Sequence, residues 1–470
     1  MSSKHKYLTK NVILFSLNTF IPKLLSILLI PLYTSCLSTA EYGVSDLIST
    51  TVSLLIPIFT LDIQDAVMRF AMDKNYSKES VFSTSFHIVM IGTSIVAIGA
   101  GVVSLFNIKG IEPSYLIFFV LMFFTTSFYN SISLFCRGID KVNVMVIGGV
   151  IQSVITLSSN IVFLLVFQWG LVGYLFANTI GSVVALIWYF IGAKLHRYIK
   201  FRIDKAVLKE MVAFSFPLIF SVVAWWVNNA SDRYVLTFMA GGVAASGLYA
   251  ISYKIPNILT IFQNVFTQAW SISAIKEFDR DDSDGFISNM YNMMNFSMVI
   301  VCAGILVLNI PISKFLYSKE FFQAWQFVPP LLISVVFNAM ALFVGSVFTA
   351  VKDTKTLSIS TIVGAVVNTA CNFLFIFFWG AFGAALATLL GYLTVFVIRH
   401  IILRKHIKMR INWVRDMLVY CLLGIQMAIS YLGLVYIWAQ IIMVVIIVAL
   451  YYKEVGSVIV FLKRRFLCKK

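Results

Sequence analysis

The stretches WGLVGYLFANTIG (169–181) and WGAFGAALATLLG (379–391) share the pattern W-G-x2-G-x3-A-x3-G at a separation of 210 residues. At the same separation His196 matches His406, each within a basic cluster. The small residues of this pattern form a stripe that lets two helices approach closely. A looser match at a separation of 204 relates AEYGVSDL (40–47) to AASGLYAI (244–251). The sequence therefore predicts two repeated halves, an arrangement typical of transporters with a site between two lobes.

The composition indicates a protein whose solvent is lipid. Of the 470 residues, 60% are hydrophobic and 12% are charged, and the mean hydropathy is +0.92. The net charge of +16 does not indicate nucleic-acid binding, because the basic residues form short clusters between apolar runs of about 20 residues. The six cysteines form no C-x-x-C pair, so neither a metal site nor a disulfide framework is expected.

Fourteen apolar runs predict about 14 transmembrane helices, and twelve remains open if the last two runs are misread. The first run is too long for a signal peptide and is interpreted as a retained helix. The runs lie near 11–35, 44–68, 81–108, 114–136, 142–167, 170–193, 211–238, 243–272, 286–312, 327–350, 357–378, 380–402, 415–433 and 435–452.

The distribution of basic residues predicts the orientation of the chain. With the N-terminus in the cytoplasm, the cytoplasmic segments hold 30 of the 36 Lys and Arg residues. The outward loops hold only Lys109, Lys314 and Lys319. Because positive charge stays on the cytoplasmic side, both termini are predicted to be cytoplasmic. The outward loops are all short.

The predicted fold is an all-α integral membrane protein with two pseudo-symmetric six-helix lobes and a terminal helix pair. Residues 1–200 would form the N-terminal lobe and residues 201–410 the C-terminal lobe. Residues 411–470 would add the helix pair and a basic cytoplasmic tail. The two lobes would have the same orientation, because six spans separate the repeated stretches.

Charged residues inside the predicted spans are few and cluster on the first two helices of each half. A charge in lipid is costly unless it has a partner or lines a watery cavity. Lys23 lies about 18 Å along the first helix from Asn11, near the middle of the bilayer and next to Pro22. Lys254 likewise lies close to a proline. Bends are expected at Pro22, Pro31, Pro57 and Pro256. Asp232 and Arg233 are the other candidates in the second half. We therefore predict a charged cavity lined by helices 1, 2, 7 and 8.

The stretch LDIQDAVMRF (61–70) carries three more candidates at the inner end of the second span. Asp65 and Arg69 are spaced i, i+4 and could pair, and Asp62 would lie on roughly the same face one turn deeper. In one interpretation the helix simply ends in water here, which explains why Arg69 lies beyond the bilayer core. The clustering of charge on helices 1, 2, 7 and 8 favours a second interpretation, in which the stretch forms the inner mouth of the cavity.

Several of these stretches resemble the oligosaccharide flippases (Wzx-type) of the multidrug/oligosaccharidyl-lipid/polysaccharide exporter superfamily. They are LSTAEYGVSDL, LDIQDAVMRF, NNASDRYVLTFMAGGVAASGLYAISYKIPNIL and the repeated W-G-x2-G-x3-A. The resemblance implies alternating access and flipping of undecaprenyl-pyrophosphate-linked oligosaccharide from the cytoplasmic to the outer leaflet. The site residues it implies are Arg69, Asp232, Arg233, Gly247, Tyr249 and Lys254.

The leading hypothesis is a flippase in a bacterial cytoplasmic membrane that supplies O-antigen, capsule or another surface polysaccharide. Basic side chains in the cavity suit a pyrophosphate, while Asp62, Asp65 and Asp232 are candidates for coupling to H+ or Na+. No other cofactor, no enzymatic activity and no nucleic-acid partner are expected. Membrane lipids and other polysaccharide-assembly proteins are the expected partners. The alternatives are a drug or cation antiporter of the same superfamily and a membrane-embedded glycan polymerase, which short outward loops disfavour.

Overall fold

The computed structural model describes residues 23, 25–106, 112–200, 203–239, 241–276 and 278–456, and all regular elements in these ranges are helical. The α-helices are α1 (Ile30–Cys36), α2 (Thr39–Phe59), α3 (Ile63–Met72), α4 (Lys78–Leu105), α5 (Pro113–Gly138), α6 (Val142–Ile161), α7 (Gly170–Gly192), α8 (Lys205–Met239), α9 (Gly242–Ser252), α10 (Pro256–Lys276), α11 (Phe286–Leu316), α12 (Val328–Ala350), α13 (Thr354–Leu403), α14 (Trp413–Ser430) and α15 (Ile437–Leu450). A π-helical segment, Val162–Val166, extends α6.

The chain is a multi-pass membrane protein. Within the described ranges, ten helices are long and apolar enough to cross a membrane, and three further apolar helices are shorter. Many of their large hydrophobic side chains are exposed, for example Ile98 and Phe377, as expected of surfaces that face lipid. The all-helical membrane fold predicted from the sequence is confirmed, whereas the number of spans and the side of the termini stay predictions.

The 50-residue helix α13 is two antiparallel helices joined at Gly380. The backbone of Gly380 has φ 55° and ψ −133°, a conformation that glycine adopts without a Cβ clash. On either side of it the chain folds back on itself. A Cβ added to Gly364 would lie 3.1 Å from the carbonyl oxygen of Gly391, and one added to Gly391 would lie 2.8 Å from the Asn368 Cβ. The fold-back matches the predicted boundary between the spans 357–378 and 380–402.

The repeated W-G-x2-G-x3-A-x3-G pattern has the same structural role in both halves. Gly170 and Gly380 both adopt positive φ, 53° and 55°, so each begins a helix that turns back on the preceding one. The last glycine of the pattern lies at the close approach in each pair: a Cβ on Gly181 would meet the Thr156 hydroxyl at 2.0 Å. The predicted close packing along this stripe is confirmed.

The second predicted span is not one continuous helix. Pro57 lies inside α2, and the chain leaves the helix just after it, with Leu61 at φ 54° and Asp62 at φ 49°. The Asp62 amide donates to the Pro57 carbonyl at 3.0 Å, the six-residue closure with which many helices end. Leucine is rare at this left-handed position. The predicted span 44–68 is therefore interrupted shortly after Pro57, where a bend was expected, and the 3.6-residue period of α2 does not continue into α3.

The eighth predicted span, 243–272, is also interrupted. Helix α9 ends at Ser252, and α10 begins with Pro256 at its first position. A proline fits the first turn of a helix because its missing N–H has no partner there. The bend expected at Pro256 is thus present as a break, and Lys254 lies within it. The bend expected at Pro22 lies outside the described residues, while Pro31 lies in the first turn of α1.

The chain divides into two compact units, Met1–Ala230 and Ser231–Lys470. In the first unit, Phe82, Phe135 and Tyr189 are fully or almost fully buried in one hydrophobic core. In the second, Tyr249 and Leu331 are buried in another. The unit boundary falls inside α8, and the three-part division at residues 200 and 410 stays a prediction.

A buried polar cluster attaches the terminal helices to α11. Arg415 donates to Asp416 at 2.9 and 3.0 Å and to Asn292 of α11 at 2.7 Å. It also donates to Glu454 at 2.5 Å, and its guanidinium lies 4.4 Å from the centre of the Tyr451 ring. Charge-assisted bonds of this kind are stronger than neutral ones. One arginine therefore connects three segments of the second unit.

Candidate functional site

The carboxylate of Asp232 is the centre of a buried polar cluster in the second unit. Asp232 is 2% exposed, and three hydroxyl groups converge on its Oδ2 atom. Tyr249 donates to it at 2.6 Å, and Tyr253 and Thr388 donate at 3.4 Å. The Tyr249 oxygen also lies 3.1 Å from the Thr388 hydroxyl. The cluster therefore joins α8, α9 and the second half of α13.

Arg233 lies beside this carboxylate but is not its main partner. Its Nη1 atom is 3.8 Å from Asp232 Oδ1, and its backbone N–H donates to the same oxygen at 3.1 Å. Its guanidinium lies 5.2 Å from the centre of the Tyr253 ring, within the range of a cation–π contact. The sequence left it open whether Asp232 pairs with another helix. The structure shows that it does so through hydroxyl groups.

Lys254 lies in the break between α9 and α10, directly after Tyr253 of the cluster. It is half-buried, and its backbone N–H donates to Ile251 at 3.0 Å. A break in a helix leaves backbone groups without helical partners, so a cation here lies next to a locally polar backbone. Asp232, Arg233 and Lys254 are thus close in the fold of one unit. Their role in a cavity stays a prediction.

The other predicted site residues belong to the first unit. Asp62 is completely buried at the α2–α3 break, and its Oδ1 atom accepts a hydrogen bond from Gln64 at 3.1 Å. Its Oδ2 atom has no hydrogen-bond partner in the described part of the chain. An unpaired buried carboxylate oxygen is costly, so Asp62 lies in a strained polar position. Lys23 is half-buried, and its carbonyl accepts from the Ser26 hydroxyl at 2.8 Å.

Two predictions about LDIQDAVMRF were wrong. Asp65 and Arg69 are both exposed, yet they form no ion pair within the described ranges, because the Arg69 guanidinium lies over the Phe214 ring instead, 5.2 Å from its centre. Asp62 does not continue their face one turn deeper, since the left-handed residues Leu61 and Asp62 rotate the chain before α3 begins. Asp62 and Asp65 thus have opposite environments, one buried and one exposed.

Sequence reasoning missed two members of the Asp232 cluster. Tyr253 is four residues from Tyr249, on the same helical face, and this spacing could have indicated it. Thr388 follows Ala387 in the repeated small-residue pattern, but no local signal connects it to a residue 156 positions earlier.

A second omission concerns charge near the end of the hairpin α13. Arg399 is 6% exposed, and its donors reach the Ala341 carbonyl at 2.7 Å and the Ser360 and Thr361 hydroxyls at 3.0 Å. No carboxylate pairs with it in the described ranges. Next to it, His400 contacts the buried Tyr291 hydroxyl at 3.1 Å. The sequence placed these residues at a helix end and therefore in water.

The Asp232 cluster is a buried negative charge surrounded mainly by neutral donors. Asp232 contacts hydroxyl groups and one arginine, a set that can hold a proton or a cation or can fix the position of the arginine. Within the described residues, no group of three or more His, Cys, Asp and Glu side chains could hold a metal ion. By binding a proton or a cation, Asp232 could therefore change its charge inside a membrane-spanning unit.

The family model for "Polysaccharide biosynthesis protein" matches residues 8–272 of the chain. The chain belongs to this family. The match extends to residue 272 in α10. It therefore includes the site residues of the first unit, between Lys23 and Arg69, and those of the second unit, between Asp232 and Lys254. No curated protein matches the chain by sequence.

Solved structures of a flippase and of transporters share the fold of this family member. A structure of the lipid II flippase MurJ in an inward closed conformation is 15% identical, with a TM-score of 0.68, and the match covers 97% of this chain and 100% of that one. A multidrug resistance MATE family transporter in an inward-facing conformation is also 15% identical, with a TM-score of 0.66 and coverage of 86% and 98%. A MOP superfamily transporter from Pyrococcus furiosus is 16% identical, with a TM-score of 0.57 and coverage of 84% and 93%.

These similarities settle the fold class. The polysaccharide biosynthesis protein has the helical fold of flippases and transporters, so the resemblance to the exporter superfamily is confirmed. The multidrug resistance transporter is about as similar in fold as the flippase, so the fold does not favour the antiporter alternative.

Proposed function

We propose that this protein flips undecaprenyl-pyrophosphate-linked oligosaccharide from the cytoplasmic to the outer leaflet of a bacterial cytoplasmic membrane. The family match over residues 8–272 carries the proposal, because polysaccharide assembly requires that a lipid-linked sugar cross the bilayer. The fold shared with a lipid II flippase supports the same substrate class. The exported units would enter O-antigen, capsule or another surface polysaccharide, in contact with other assembly proteins.

The basic residues Lys23, Arg233 and Lys254 would bind the pyrophosphate during alternating access. Each is half-buried rather than freely exposed. A phosphate interacts more strongly with partly desolvated cations than with cations that are fully exposed to water. The breaks at Leu61–Asp62 and at Tyr253–Ile255 would allow the inner ends of two helices to move while their outer parts stay packed. Asp62, Asp65 and Asp232 would couple this movement to H+ or Na+.

A strain that lacks the protein tests the proposed function. Lipid-linked repeat units should accumulate on the cytoplasmic face of the membrane, and the wild-type gene should restore export. The measurement is protection of the glycan from a membrane-impermeant probe in sealed vesicles of known orientation. Normal export together with increased drug sensitivity would instead identify an antiporter. A loss of polymer length with normal flipping would identify a polymerase.

Replacement of Lys23 by alanine should slow translocation by about tenfold to a hundredfold, since a charge-assisted hydrogen bond contributes about 1.5–3 kcal/mol. The protein level and membrane insertion should stay normal. Lys23→Arg should retain most activity, and Lys74→Ala, which removes an exposed lysine, should have no effect. Wild-type translocation by Lys23→Ala would exclude Lys23 from the substrate path.

A further inference from the structure

An apolar groove with charge at one end lies on the first half of α8. One face of that helix lines it from Lys205 to Pro217, and Leu61 and Ile88 form part of the opposite wall. The groove has a volume of about 570 Å³. Phe216, near its apolar end, is 50% exposed. All of these residues belong to the first compact unit, so the groove is complete within one unit.

The polar side chains that line the groove are two lysines at the same end. Lys205 and Lys209 are spaced i, i+4 and therefore lie on the same face of α8. Both are exposed, and neither forms an ion pair in the part of the chain that the structure describes. They lie at the end of a basic segment that also contains Lys194, Arg197, Lys200 and Arg202 and that the charge distribution assigns to the cytoplasm.

The acids next to these lysines already have other partners. The Asp204 carboxylate accepts from the backbone of Ala206 at 3.0 Å. Glu210 accepts a hydrogen bond from the Tyr76 hydroxyl, which raises the pKa of Tyr76. The nearby Arg69 guanidinium, over Phe214, adds a further positive charge. Neither acid pairs with Lys205 or Lys209 in the described part of the chain, so both ammonium groups are available to an anion.

The length of the groove matches one leaflet. From Lys205 to Pro217 the helix rises about 18 Å, and half of a bilayer core is about 15 Å thick. An occupant with its anionic group at Lys205 and Lys209 would thus place a hydrocarbon chain along the rest of the groove. A polyprenyl chain that spans more than one leaflet would extend beyond it.

We propose that this groove binds one anionic phospholipid of the cytoplasmic leaflet, with its phosphate on Lys205 and Lys209 and an acyl chain against Phe216 and Pro217. The bound lipid contacts Leu61, a residue at φ 54° in the α2–α3 break. The lipid therefore packs against one side of the α2–α3 break. The three basic residues proposed to bind the pyrophosphate, Lys23, Arg233 and Lys254, do not line this groove, so the site does not depend on the substrate being a glycan.

Native mass spectrometry of the purified full-length protein tests this site with added phosphatidylglycerol. The wild type should retain one phosphatidylglycerol in preference to phosphatidylethanolamine. Lys205→Gln combined with Lys209→Gln should weaken that binding by roughly tenfold to thirtyfold, because each lysine contributes about a factor of five near an anionic lipid. Ala213→Trp should also remove it, since the indole would fill the groove while both lysines remain.

The matched control is Lys352→Gln combined with Lys355→Gln, which removes two exposed lysines elsewhere and should not change binding. Equal loss in this control would show non-specific attraction and overturn the site. Unchanged binding in Lys205→Gln/Lys209→Gln would also overturn it, as would unchanged binding in Ala213→Trp. Stronger binding of undecaprenyl phosphate than of phosphatidylglycerol would overturn the phospholipid assignment. All variants are first compared by thermal unfolding, so that loss of lipid is measured on folded protein.

Discussion

Replacement of Asp232 by asparagine should reduce glycan translocation by about tenfold or more while the protein stays folded. Asparagine keeps the shape of the side chain and can still accept from Tyr249, but it removes the negative charge beside Arg233. A tenfold change in rate corresponds to about 1.4 kcal/mol of activation free energy, about as much as one hydrogen bond to a charged group contributes. Translocation is measured in proteoliposomes loaded with lipid-linked oligosaccharide.

The same variant separates a coupling role from a positioning role. If Asp232 takes up H+ or Na+ during the cycle, Asp232→Asn should no longer respond to an imposed gradient of that ion, whereas the wild type should. If Asp232 only positions Arg233, the slower variant should respond to the gradient as the wild type does. Wild-type rates in the variant would remove Asp232 from the mechanism.

Asp416→Asn is the matched control for Asp232→Asn. It neutralises another buried aspartate next to an arginine, in the cluster that attaches the terminal helices. We expect it to lower the midpoint of thermal unfolding, because the two hydrogen bonds from Arg415 lose the negative charge of their acceptor. Its response to an ion gradient should be that of the wild type. The two variants therefore distinguish charge used in transport from charge used in packing.

The second large effect is expected on folding. Gly383→Ala should destabilise the hairpin α13, because its Cβ would lie 2.1 Å from the carbonyl oxygen of Phe375. This oxygen belongs to the backbone and cannot rotate away, so the two arms must separate. Overpacking of a tight contact costs about 1–3 kcal/mol. The expected result is a lower midpoint of thermal unfolding in detergent and a smaller folded fraction after purification.

Gly304→Ala provides the control for this prediction. Gly304 lies inside α11 with open space where its Cβ would be, so alanine should be neutral or slightly stabilising there. If both variants unfold at the wild-type temperature, the close approach at Gly383 is not needed for the hairpin.

The hairpin shows how much of the fold could be predicted from the sequence. Hydropathy located the two arms of α13 and the boundary between them near Gly380, and the W-G-x2-G-x3-A-x3-G repeat located the closely packed stripe. These features are local: they depend on apolar length, on a residue that tolerates positive φ, and on small side chains at a helical spacing. Their structural consequences follow without knowledge of the rest of the chain.

The breaks in the second and eighth spans were only partly predictable. Pro256 marked the second break, since proline begins a helix better than it continues one. Pro57 gave a weaker signal, because the helix passes through it and ends at Phe59. Leu61 adopts the left-handed conformation, which a glycine would adopt more easily. Local preference therefore does not explain it, and the packing of α3 does.

By itself the sequence determined that the protein is an all-helical membrane protein and that Asp232 and Arg233 are charges within one of its apolar helices. Only the tertiary structure decided which groups surround them: Thr388 reaches Asp232 from 156 residues away, and Arg399 is satisfied by neutral oxygens. The physical reason is that hydrophobicity and backbone preference act over a few turns of chain, whereas the partner of a buried charge depends on which helices pack together.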